Sequence, residues 1–79
     1  MMARLPTVKP KRLLAILKRV GFKKVRQKGS HLFLWNHSIK RGVVIPMHNT
    51  DVGRGLLRKI SREADLDINE FIKLLNKKR

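Results

Sequence analysis

Gly29, Ser30 and His31 lie between two strand-like runs, within a fifty-residue stretch that holds twelve Lys or Arg and no Asp or Glu. A histidine at a turn among that many cations suits chemistry on a phosphodiester. Metal-free RNA cleavage needs a base for the 2′-hydroxyl proton, an acid for the leaving 5′-oxygen and cations for charge on the phosphorane. Histidine, lysine and arginine supply all three. DNA lacks the 2′-hydroxyl, so such chemistry is specific to RNA. The plainer alternative is a turn histidine with only a structural role, and the residues alone leave both open.

Other chemistries fit less well. Two-metal phosphate chemistry needs carboxylates converging on the ions, and the five acids are Asp51, Glu63, Asp65, Asp67 and Glu70, all in the second part of the chain. Asp67 and Glu70 read as helix caps, Glu63 and Asp65 flank a helix end, and Asp51 stands alone in a loop. His31, His37 and His48 lack the spacing and the second ligand type of a zinc site. With no cysteine, thiolate sites and disulfides are out, and packing has to supply the stability. No metal or other cofactor is expected.

The charge balance is the strongest bulk signal. Twenty basic against five acidic residues give a net charge of +15. A field of one sign attracts polyanions and speeds their encounter, with steep salt dependence. Nucleic acid or an acidic protein is therefore the expected partner. The basic residues are not gathered on one amphipathic helix, no run is long enough to span a bilayer, and no signal-peptide region is evident. A cytoplasmic location without membrane contact is expected. Seventy-nine residues that are 42% hydrophobic suffice for one small core, so residues 1–79 read as a single domain.

The elements that must position His31 follow from pattern. Residues 1–9 show no periodicity. From Pro10, the spacing of Leu13, Ile16, Leu17 and Val20 predicts an amphipathic helix that Gly21 ends. Residues 22–28 read as a strand whose alternation puts Lys24, Arg26 and Lys28 on one face and Val25 on the other. Gly29 and Ser30 make a turn. Residues 31–37 form the most strand-like run, a second turn spans 36–42, and residues 42–45 make a third strand that Pro46 closes. Leu56, Leu57, Ile60 and Ala64 mark a second helix. A third starts at Asp67, with Glu70 as capping-box partner, Leu66 stapling onto Phe71, and Lys77, Lys78 and Arg79 at its cation-favouring end. Helix, three antiparallel strands and one or two helices make an α+β domain, with one sheet face covered and one open. Leu32 and Leu34 on one side, and Phe33 and Trp35 on the other, are all apolar, so the facing of the second strand is undetermined.

The order of motifs resembles the HicA family of bacterial and archaeal toxins, small mRNA interferases. The resemblance rests on Leu5-Pro6, Gly21-Phe22, the run Val25-Arg26-Gln27-Lys28-Gly29-Ser30-His31, the run Ile45-Pro46-Met47-His48-Asn49, the segment from Gly55 to Ile60, and Phe71. It covers nearly the whole chain. Leu56 stands where many members carry threonine, and Leu32 where many carry a polar residue. The resemblance implies a double-stranded-RNA-binding-domain-like fold and metal-independent endoribonuclease activity on mRNA. It also implies His31 as the catalytic residue and neutralisation by a HicB-type antitoxin, which the charge of this chain suggests is acidic. The free toxin is expected to be a monomer.

Lys24, Arg26 and Lys28 are the expected RNA contacts, with Gly29 and Ser30 shaping the turn. Ser30 can bond a phosphate or satisfy the turn backbone, and His48 can face the same site as His31 or close its loop. Phe33 and Trp35 can stack on bases, although in so small a chain core packing is the first expectation. A non-catalytic RNA-binding module of the same fold is the alternative function.

Overall fold

The computed structural model describes residues 7–48 and 50–76. Leu5, Pro6 and Asn49 of the resemblance, and the C-terminal cations Lys77, Lys78 and Arg79, lie outside the described residues. Helix α1 (Pro10–Arg19) leads into strands β1 (Lys23–Lys28), β2 (His31–Asn36) and β3 (Arg41–Pro46), followed by α2 (Arg54–Glu63) and α3 (Ile68–Asn76). The three strands form an antiparallel meander in the order β1-β2-β3. This is the α+β layout expected from the sequence.

Local rules account for the helix ends. Pro10 opens α1, where its missing N–H costs nothing. Beyond Val20, Gly21 takes φ +108; its N–H donates to the Lys18 carbonyl at 3.1 Å and the Phe22 N–H to the Leu17 carbonyl at 2.9 Å. These are the two bonds of a Schellman stop, and Leu17 and Phe22 are buried together. Helix α2 ends the same way, with Leu66 donating to Ser61 at 2.8 Å and Asp65 to Arg62 at 3.1 Å. Asp67 Oδ2 accepts from the backbone N–H of Asn69 at 3.0 Å and of Glu70 at 3.4 Å, so the expected cap of α3 is present.

The three helices share one core with a single face of the sheet. Leu32 and Leu34 of β2 and Val43 and Ile45 of β3 are buried against Leu13, Ile16 and Leu17 of α1, Leu57 and Ile60 of α2, and Phe71, Ile72 and Leu75 of α3. Strand β1 contributes no buried residue. It is an exposed edge strand. Just before α1, where the sequence shows no pattern, Val8 forms an antiparallel bridge with Val52, and both are buried. Asp51 is not solitary, because it pairs with Lys9 Nζ at 3.2 Å and accepts from the Thr7 hydroxyl at 3.4 Å.

Asn36 joins the layers. Its buried side chain donates through Nδ2 to the Val20 carbonyl at 3.1 Å, and its Oδ1 accepts from the N–H of Ser38 at 2.9 Å and of Ile39 at 3.4 Å. One amide thus fastens the end of α1 to the end of β2 and shapes the turn into β3.

Candidate active site

Strand register determines what faces the open side of the sheet. Leu32, Leu34 and Asn36 are buried, so His31, Phe33 and Trp35 point the other way. The first expectation for the two aromatics, core packing, is therefore corrected: Trp35 is 38% exposed and Phe33 half-buried on the open face. Leu32 and Leu34 make up β2's share of the apolar core.

A second correction concerns β1. Its pairing with β2 slips between Lys24 and Arg26, leaving Val25 as a bulge. Lys23 lies opposite Trp35, Arg26 opposite Phe33 and Lys28 opposite His31, whereas Lys24 lies opposite Leu34 and Gln27 opposite Leu32. Directly opposed residues share a face. The cationic row on the open face is Lys23, Arg26 and Lys28, and Lys24 sits on the helix side of the exposed edge. A bulge inserts one residue without any mark in the alternation pattern, so strict period two assigns the wrong faces beyond it. Val25 is not set apart from Arg26 either; both line a depression on the open face with Phe33 and Trp35. The Arg26 guanidinium lies 5.0 Å from the Phe33 ring centroid, a cation–π contact worth about 0.5–1 kcal/mol at an exposed site.

His31 is held at the start of β2 by a two-residue hairpin loop. Gly29 takes φ +58 at the first central position of that loop, as the tight hairpin turns require. Ladder pairing continues into the turn, with the Met47 N–H donating to the Ser30 carbonyl at 2.6 Å. That brings His48 Nε2 to 3.4 Å from the Ser30 hydroxyl. The Ser30 carbonyl thus belongs to the ladder, while its hydroxyl lies within hydrogen-bond distance of His48. The two histidines line different depressions: His48 faces Lys9, Pro10 and Lys11 at the start of α1, while His31 faces α2.

The cleft on the His31 side holds about 370 Å³ and is lined by His31, Val44, Pro46, Leu56, Lys59 and Glu63. Lys59 and Glu63 were not among the sequence-derived candidates. On α2 they share a flank with Leu56 by i, i+3, i+7 spacing, a signal available in the sequence but masked by the stronger apolar face of Leu57 and Ile60. An exposed imidazole thus stands between Lys28, its cross-strand neighbour, and the half-buried Glu63 carboxylate and exposed Lys59 ammonium across the cleft. The arrangement can exchange a proton and stabilise an anion in one place. Among the described residues no three His, Asp or Glu side chains gather as a metal-ligand group, and no helix is long and apolar enough to cross a membrane.

Fold and site together define a small, strongly basic α+β domain that presents the exposed His31 beside Lys28 on a cationic sheet face. The chain belongs to the HicA toxin family: the model of the HicA toxin of bacterial toxin-antitoxin systems matches residues 10–66, from the start of α1 to just past α2. No curated protein matches the chain. As a member of this family it is a toxin, and its partner is a cognate antitoxin.

Proposed function

We propose that this toxin is a metal-independent endoribonuclease that cleaves mRNA, with His31 as general base or acid. The 2′-oxygen attacks the adjacent phosphorus as its proton is removed, and the bond to the 5′-oxygen breaks as that oxygen gains a proton. The products are a 2′,3′-cyclic phosphate and a free 5′-hydroxyl. His31 serves one end of this proton transfer, and Lys28 and Lys59 supply positive charge where negative charge develops on the phosphorane. Gly29 and Ser30 hold the turn that presents His31. Arg26, Lys28 and the neighbouring cations hold the RNA backbone.

The observation that carries this reading is the position of His31, exposed between Lys28 and the cleft that contains Lys59 and Glu63. The reading extends to a single domain over residues 1–79, monomeric when free, acting in the cytoplasm. An acidic, HicB-type antitoxin would neutralise it by covering the cationic face, and the rate of complex formation should then fall with salt.

The test is incubation of antitoxin-free wild type and His31→Ala with a defined mRNA in EDTA. Wild type should cleave, and His31→Ala should bind RNA without cleaving it. Retained cleavage by the variant refutes the role of His31, and RNA left intact by wild type supports the non-catalytic RNA-binding module instead. A single deoxyribose at a cleaved position should block cutting there; unchanged cutting would exclude 2′-hydroxyl attack.

A further inference from the structure

We propose that the open face of the sheet is a stacking platform for unpaired bases, so that the toxin engages its RNA as a single strand, phosphates along β1 and bases over β2. The proposal rests on the ribonuclease reading above and names its substrate class.

The open face is a grid of three rows. Lys28, His31 and Pro46 lie side by side across the strands, then Arg26, Phe33 and Val44, then Lys23, Trp35 and Gly42. Neighbouring strands are about 4.8 Å apart and alternate residues of one strand about 6.7 Å apart. A column of cations therefore runs parallel to a column of rings, one strand away, and the ring column ends at His31. A single strand of RNA with its phosphates over the cations would lay its bases across the rings and carry a backbone linkage to the histidine. In a duplex, by contrast, the base faces are covered by each other, and a protein meets only phosphates, 2′-hydroxyls and groove edges.

The rings are held available. Trp35 is 38% exposed and Val25 62% exposed, and together with Arg26, Phe33 and Gly42 they line a depression of about 450 Å³. A side chain at position 42 would bring its Cβ within 3.2 Å of Trp35 Cε3, so glycine there leaves room for the indole across β3. Arg26 over Phe33 adds a planar cation beside the rings, a combination on which bases stack. None of the nine grid residues is acidic. An acidic protein would match the cations but bring no planar partner to the rings, whereas RNA brings both.

Trp35 is the only tryptophan in the chain, so its fluorescence reports on this face alone. The His31→Ala protein, expected to leave RNA intact, is titrated with an unstructured oligoribonucleotide, the same sequence as a blunt duplex, and an abasic strand of equal length. The unstructured strand should quench Trp35; duplex and abasic strand should bind by charge without quenching. Trp35→Ala should lower affinity for the single strand roughly 5- to 150-fold, leaving the salt dependence and duplex affinity unchanged, and Trp35→Phe should recover most of the loss. Equal quenching by duplex, equal loss for duplex and single strand in Trp35→Ala, or binding of the strand without quenching overturns the platform. So does quenching by the antitoxin but not by RNA, which would assign the face to the protein partner. A wild type that leaves mRNA intact in EDTA overturns the ribonuclease reading alone.

Discussion

Replacing Gly21 with alanine tests the joint that holds the site-bearing strand against α1. Gly21 takes φ +108, and a Cβ there would lie 2.9 Å from Asn36 Nδ2. Left-handed backbone costs a non-glycine residue about 1–2 kcal/mol, and the lower entropy of the unfolded alanine chain offsets roughly 0.4–1 kcal/mol of that. The contact adds a further cost, because Asn36 must move and its 3.1 Å bond to the Val20 carbonyl is lost, a net loss of about 0.5–1.5 kcal/mol. The sum is about 2 kcal/mol, or a melting temperature lower by roughly 8–16 °C for a domain of this size. Asn36→Ala alone forfeits the bonds to Val20, Ser38 and Ile39 and should cost about 1–3 kcal/mol. With Asn36 shortened, however, a Cβ at position 21 no longer meets it, so the double variant should be less destabilised than the sum by about 0.5–1.5 kcal/mol. Urea unfolding followed by circular dichroism measures all four corners of the cycle. Gly21→Ala within about 0.5 kcal/mol of wild type, or strict additivity, would refute the argument.

The register of β1 makes a prediction of its own. In the His31→Ala background, Lys28→Ala should reduce the slope of log affinity against log salt for single-stranded RNA by about 0.7, the share of one phosphate contact. Lys24→Ala removes the same charge from the helix side of the edge and should leave the slope unchanged; equal effects would mean that the bulge does not sort these lysines. At the other end of the chain, Asp67→Ala should cost about 1 kcal/mol by removing the α3 cap, and Asp67→Asn should keep most of it. If asparagine loses as much as alanine in thermal unfolding, charge at the helix start rather than the hydrogen bond is responsible.

Much of the fold is legible in the chain because its signals are local. Pro10 and Gly21 bound α1, Asp67 starts α3, and Gly29-Ser30 turns β1 into β2; each acts through its own dihedrals or a partner within a few residues. Period and breakers thus suffice for the element order. The Val8–Val52 bridge escapes such reading, since two residues paired across 44 positions leave no period. Half of the site was legible in the same way. His31, Lys28 and the turn that presents His31 are consecutive in sequence, whereas Lys59 and Glu63 reach His31 only because α2 packs along β3.

By itself the sequence determined the elements, the +15 charge with its acid-free first fifty residues, and the motifs that resemble the HicA toxins. Tertiary structure alone decided the facing. Both sides of β2 are apolar, so only docking of the helices shows that Leu32 and Leu34 go inward and that Phe33 and Trp35 stay out with His31. Alternation in β1 points to Lys24, Arg26 and Lys28, but pairing with β2 absorbs Val25 as a bulge and replaces Lys24 with Lys23 on the open face. The reason is common to both cases: a strand's period says which residues lie together, while the side they take depends on long-range partners and on any residue the ladder skips.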